Sequence, residues 1–201
     1  MKPAVNSVAH LLFYPFHDSH YNPNYWGVLE GEQDLSEVEQ IEATMLRAKQ
    51  YAISQYQGVA DYVQSLGLEK PIHIGETGWS SVAASLYGAS GSKAADELKL
   101  GLYYQHMRDW EKESGMSVFY FEAFDEQWKD PNDVNGSENH FGLIGLDNKV
   151  KFPLWDLIDQ QAFQGLSRGG KSLGKSYDGD WHALLKDAEL PPLNNGTNSA
   201  D

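Results

Sequence analysis

The stretch Pro71-Ile72-His73-Ile74-Gly75-Glu76-Thr77-Gly78-Trp79-Ser80 decides how this chain folds. Its short apolar, β-branched run after Pro71 reads as a buried strand. A carboxylate, Glu76, follows at once, and then a large aromatic, Trp79. Upstream, Ser36-Glu37-Val38-Glu39 has the pattern of a capping box. From there Val38, Ile41, Met45, Ala48, Ala52, Tyr56, Val59, Val63 and Leu66 recur at three- and four-residue steps as far as Gly67, which predicts a long amphipathic helix bent near Gly58. Before it, Ala9-His10-Leu11-Leu12-Phe13-Tyr14-Pro15-Phe16 reads as a strand that runs into a long loop.

Downstream the order repeats. A Gly/Ser/Ala-rich loop over residues 80–92 leads to a helix marked by Ala94, Ala95, Leu98, Leu102, Tyr103, Met107 and Trp110, which stops at Gly115. A third apolar strand, Ser117-Val118-Phe119-Tyr120-Phe121, runs into an acidic and aromatic segment, and Pro153-Leu154-Trp155-Asp156-Leu157-Ile158 predicts a last short helix. From Gly165 onward Gly, Ser, Lys, Asn and Pro dominate, with Trp181-His182-Ala183-Leu184-Leu185 as the apolar interruption, so residues 167–201 read as a polar tail or linker. Near-continuous apolar strands alternating with helices indicate parallel βα units, and the class is α/β. Eight units at this spacing need roughly 400 residues, above the ~250 of a typical closed barrel, so only three fit.

Composition narrows the function. The chain has 201 residues, 41% of them apolar and 12% aromatic, and no run approaches the ~20 apolar residues of a membrane-spanning helix. Fifteen Lys and Arg against 29 Asp and Glu give a net charge of −14. Such a surface repels phosphate backbones and anionic lipid, so neither nucleic acid nor membrane is an expected partner. Cysteine is absent, which removes disulfides, thiolate metal sites and thiol nucleophiles. The first residues lack the apolar stretch of a secretory signal, and the sequence alone leaves localisation open.

In parallel βα architectures the residues at the carboxyl ends of strands face the ligand crevice. That rule selects Tyr14, Glu76 and Glu126. Glu76 is the strongest candidate by placement, the plainer alternative being an ion pair with a nearby Arg or Lys. Glu122, Asp125, Glu126, Lys129 and Glu138 form a second cluster; Glu126 and Lys129 are spaced as a turn-borne ion pair, and Glu138 is placed to share that lysine. From the residues alone this cluster reads as a charge network rather than a catalytic set. Tyr14, Phe16, Tyr21, Tyr25, Trp26, Trp79, Phe124, Trp128 and Phe141 crowd into the same strand-end segments. In a chain without a basic patch such rings suit the apolar faces of sugars, or ordinary core packing. His17 and His20 are three apart beside Asp18, but the flanking Pro residues argue against a helical metal face and favour a solvated or satisfied loop pair, and no phosphate loop or nucleophile elbow is present.

Ile74-Gly75-Glu76-Thr77-Gly78-Trp79-Ser80 and Phe121-Glu122-Ala123-Phe124-Asp125-Glu126-Gln127-Trp128-Lys129 closely resemble motifs of glycoside hydrolase family 17, the β-1,3-glucanases and related glucanosyltransferases. Leu12-Phe13-Tyr14-Pro15-Phe16 looks like the family's sixth barrel strand, the two motifs like its seventh and eighth, and His140-Phe141-Gly142-Leu143-Ile144-Gly145-Leu146-Asp147 like the segment that follows. The likeness covers roughly residues 10 to 165. It implies a partial (β/α)8 barrel over residues 1–166, with strands six to eight and their helices, acting on a laminarin-like β-glucan without metal or cofactor. Glu76 matches the nucleophile, Glu126, Lys129 and Glu138 a supporting set, and Tyr14 a residue beside the nucleophile. Phe16, Trp79, Phe124, Trp128 and Phe141 are implied to line the glucan subsites. Ser80 stands where the family usually has Pro. The family's acid/base Glu lies at the end of the fourth strand and is expected to be missing here, although retaining hydrolysis needs two carboxyls about 5–5.5 Å apart. The expected readings are therefore a retaining β-1,3-glucanase part, a glucanosyltransferase, a non-catalytic glucan-binding piece, or a piece whose missing strands and acid come from an amino-terminal half or from self-association. Family resemblance implies an extracellular or periplasmic setting.

Overall fold

The Ser36 hydroxyl accepts from the Glu39 amide while the Glu39 carboxylate accepts from the Ser36 amide, and this reciprocal cap starts the longest helix of the protein. The computed structural model describes residues 9–21, 26–84 and 92–194. Within them a parallel three-stranded sheet, β1 (Ala9–Phe13), β2 (Ile72–Thr77) and β3 (Val118–Tyr120), is ordered β1-β2-β3. Three helices lie between these strands: α1 (Pro15–Tyr21) and α2 (Glu37–Ser65) between β1 and β2, and α3 (Glu97–Ser114) between β2 and β3. The α/β class follows directly from this parallel order.

Several expectations shift in detail. The segment after β1 forms α1 rather than an extended loop, because Pro15 at the first helical position has a preset φ and lacks only an amide that would be unpaired there anyway. Helix α2 runs unbroken through Gly58. Helix α3 starts at an Asp96 cap and ends at Gly115, whose φ of 69° is the left-handed conformation that a helix stop requires. Tyr25 and most of the Gly/Ser/Ala-rich loop, residues 85–91, lie outside the described residues.

A short β4 (Lys149–Val150), a 3-10 turn over Phe152–Leu154 and α4 (Trp155–Asp159) follow β3. The segment read from composition as a polar tail is folded over its described part. It holds a β5 (Ser167–Arg168) and β6 (Lys171–Ser172) hairpin, β7 (Gly174–Lys175) paired with β4, and α5 (Trp181–Asp187). Leu184 on α5 is buried in the main core, and Val28 pairs with Leu193. A few well-placed apolar side chains anchored this segment where average composition suggested none.

Strand residues divide sharply between two faces. Ile72, Ile74, Val118 and Thr77 are buried toward α2 and α3, where Met45, Ala48, Leu98, Tyr103 and Met107 complete the core. The opposite face lies open: Leu12 is 62% and Phe119 61% exposed, and His10 stacks on His73 with ring centres 5.9 Å apart. Pairing runs His10 to His73 and Leu11 to Ile74, then shifts so that Leu12 faces Glu76. Gly75 is the extra residue of this bulge. In a regular strand of this length strict alternation would send Glu76 toward the helices; the bulge leaves Glu76 on the open face and turns Thr77 inward.

Candidate active site

Glu76 stands at the carboxyl end of β2, where the bulge aims it away from the helices. The Tyr14 phenol, just past β1, donates to Glu76 Oε2 at 3.0 Å. Burial first, then the hydrogen bond to Glu76 and the nearby charges of Glu138 and Glu122, push the Tyr14 pKa far up. Tyr14 is thus held as a proton donor and fixes one carboxylate oxygen. Thr77 anchors the strand end beneath: its hydroxyl donates to the Phe13 carbonyl at 2.7 Å and shares a 2.7 Å hydrogen bond with the Tyr103 phenol. Gly78 is required by close approach, since a Cβ there would lie 2.0 Å from the Phe121 carbonyl oxygen.

The second cluster hangs from the end of β3. Lys129 pairs with Glu122 and sits 3.5 Å from Glu126 Oε2, with its ammonium 3.7 Å above the Phe121 ring. The expected Glu126 pair is present, while Glu122 is the nearer partner. Glu138 does not share this lysine: its carboxylate lies 3.8 Å from His17 Nε2. Burial raises the Glu122 pKa, opposed by Lys129. Burial lowers that of His17, opposed by Glu138 and Asp18. Tyr14 touches Phe121 and Phe141 edge-on at 6.0 and 5.7 Å, so the two acidic groups meet around its ring.

The aromatics implied as subsite walls separate into two sets. Trp79, Phe16 and Phe141 are buried: Trp79 donates to the Ala94 carbonyl at 2.7 Å and packs on Phe16, Trp26 and Tyr103. These rings support the site from below and present no face to a ligand. Trp128, 71% exposed, and Phe124, 41% exposed, do present one.

One feature had no signal in the sequence. Lys151, buried beyond β4, donates to Asp125 Oδ1 at 3.0 Å, Ser81 Oγ at 2.9 Å and the His140 carbonyl at 3.2 Å. Asp125 Oδ1 also accepts the Gly142 amide at 2.9 Å. A single ammonium therefore ties together the three segments that follow Glu76, flank Glu126 and carry Glu138. The Ser80 hydroxyl, in the place of the usual Pro, lies 2.8 Å from the Val82 carbonyl and 3.0 Å from the Ser137 carbonyl and shares its one proton between them, which adds a second tie between two of these segments. Among the described residues, no three His, Asp or Glu side chains are grouped to hold a metal ion.

The chain is similar to β-1,3-glucanase-like proteins over part of their length. The structure of an endo-laminarinase from Formosa Hel1_33_131 superposes with a TM-score of 0.91 and is 51% identical, covering 98% of this chain and 50% of that one. A glucan 1,3-beta-glucosidase of Arthroderma benhamiae is 39% identical over 113 residues, which is 52% of this chain and 32% of that protein. One of the same name from Candida albicans is 35% identical over 85 residues, 40% and 25% of the two chains. The chain thus spans half the length of the laminarinase structure and a third or less of these two relatives. No family model matches the chain.

Proposed function

We propose that this chain carries the nucleophile side of a retaining β-1,3-glucan hydrolase, as the last three strands of an incomplete (β/α)8 barrel. The observation that carries this reading is the Tyr14 to Glu76 hydrogen bond of 3.0 Å at the end of β2. A donor locked on Oε2 leaves Oε1 to attack the anomeric carbon. The glycosidic C–O bond then breaks, its oxygen takes a proton from a separate acid, and a glycosyl ester forms on Glu76. Water hydrolyses the ester in the second step; a sugar hydroxyl in its place gives glucan transfer.

The acid is the missing part. Glu122 and Glu126 are held by Lys129, and Glu138 faces His17. The bare sheet face carrying Leu12 and Phe119 supports a further barrel half as its cover, as does the half-length match to the laminarinase structure. Trp128 and Phe124 offer rings to the sugar, and Lys129 offsets the charge of the Glu122 and Glu126 carboxylates.

The test is reducing-sugar release from laminarin by this chain alone and with an added amino-terminal half, each repeated with Glu76→Gln. Turnover that needs the added half and is lost in Glu76→Gln is the expected result. Turnover retained by Glu76→Gln sinks the nucleophile assignment. Binding without turnover in every mixture favours a second reading, a glucan-binding piece, to which the lysine-paired carboxylates already lean.

A further inference from the structure

Two adjoining cavities beyond Glu126 take no part in this chemistry. One, of about 480 Å3, lies between Phe124 and the β5–β6 hairpin; the other, of about 410 Å3, lies under the same hairpin. They share Phe163, Leu166, Ser167 and Leu173, so they form one groove that begins at Glu126 and ends near Gln161 and Gln164. Each volume falls within the roughly 300–1,000 Å3 of small-molecule sites.

The groove is built rather than incidental. Arg168 lies 5.0 Å over the Phe124 ring and donates to the Gly145 and Asp125 carbonyls, both at 3.2 Å, so it holds the hairpin against the acidic segment. Phe124 still exposes part of its ring, and Leu166 is 58% exposed. An aromatic and aliphatic floor with an amide and hydroxyl rim matches a neutral polyol chain, whose C–H faces need apolar contact and whose hydroxyls need polar partners. An anionic ligand is disfavoured by Glu126 at the mouth and by the net charge of −14.

We propose that this groove is a secondary glucan subsite, which receives sugar units that extend past Glu126 from the acidic cluster. The proposal rests on the glucan reading above and adds to it the folded carboxyl-terminal hairpin as a determinant of chain-length preference. Glu126 belongs to both the cluster and the groove, and this continuity singles out the same polysaccharide as occupant.

Isothermal titration of the full chain with laminaritriose and with laminarihexaose tests it, on wild type and on Leu166→Asp, an exposed position chosen to spare the fold. The expected result is a loss of about tenfold in hexaose affinity, equivalent to about 1.4 kcal/mol, with triose affinity unchanged. Amide shifts of Leu166 and Ser167 on hexaose addition, and none on triose addition, would accompany it. If both sugars bind and Leu166→Asp alters neither, the groove assignment is overturned while the glucan reading stands. If neither sugar binds wild type, both fall. Loss of the Leu166 response once an amino-terminal half is added would show that protein covers the groove, which also overturns it.

Discussion

Replacing Lys151 with Met keeps most of the side-chain volume and removes the ammonium that joins three segments. Lys151 is almost fully buried, and burial pushes its pKa down against the opposing pull of Asp125. Desolvation of the cation is a cost that the present structure already bears. The variant relieves it but leaves the buried Asp125 carboxylate with the Gly142 amide at 2.9 Å and His140 Nδ1 at 3.4 Å as its remaining partners. Ser81 Oγ and the His140 carbonyl also lose a donor. Removing one side of a buried pair costs about 3–5 kcal/mol. In a chain of this size that lowers Tm by about 6–20 °C. Thermal unfolding followed by circular dichroism at neutral pH reads the effect, with Lys149→Met as control. Lys149 meets the exposed Asp178 at 2.7 Å and should shift nothing measurable. A fall below about 2 °C for Lys151→Met, or strict additivity with Asp125→Asn, would refute the hub argument.

Three further outcomes are open to measurement. Gly78→Ala places its Cβ against the Phe121 carbonyl and should destabilise toward the upper end of about 1–3 kcal/mol, read by urea unfolding; an unchanged midpoint would deny the close approach. Leu184→Ala should cost about 2–5 kcal/mol in the same assay, whereas a loosely attached tail would give a neutral result. His17 has a folded pKa below its ordinary 6.5, so the folded state binds fewer protons; its contribution is fully present above 6.5 and is lost as pH falls from there through the lower folded value. His17→Gln should therefore flatten the loss of stability on acidification just below pH 6.5, and an unchanged slope there counts against the buried, neutral imidazole.

Periodicity exposed α2 and α3 because each buries one continuous stripe, and apolar runs exposed β1 to β3 because both ends of each run are punctuated. Helix α1 escaped notice since seven residues carry too few repeats to reveal a period. The folded tail escaped for a related reason: Leu184 and the partly buried Leu173, Tyr177, Leu185 and Leu190 carry little weight in a composition average, yet together they pack this segment on the core. At the site, Glu76 was legible from its place at a strand end, and Glu126 with Lys129 from their spacing. The burial of Trp79 was not, because its motif fixes order along the chain and says nothing of which ring face is covered by Trp26 and Tyr103. Lys151 was invisible because its three partners come from segments distant in sequence.

The bulge at Gly75 makes the orientation of Glu76 a matter of parity. Packing alone does not select the side of the sheet on which the carboxylate emerges; the count of residues since Ile74 does. Deleting Gly75 should restore regular alternation after Ile74, with Glu76 still on the open face and Thr77 still turned toward the layer occupied by Tyr103. Inserting or deleting one residue in the regular part of the strand, with the bulge kept, would instead exchange the two faces and turn the carboxylate inward.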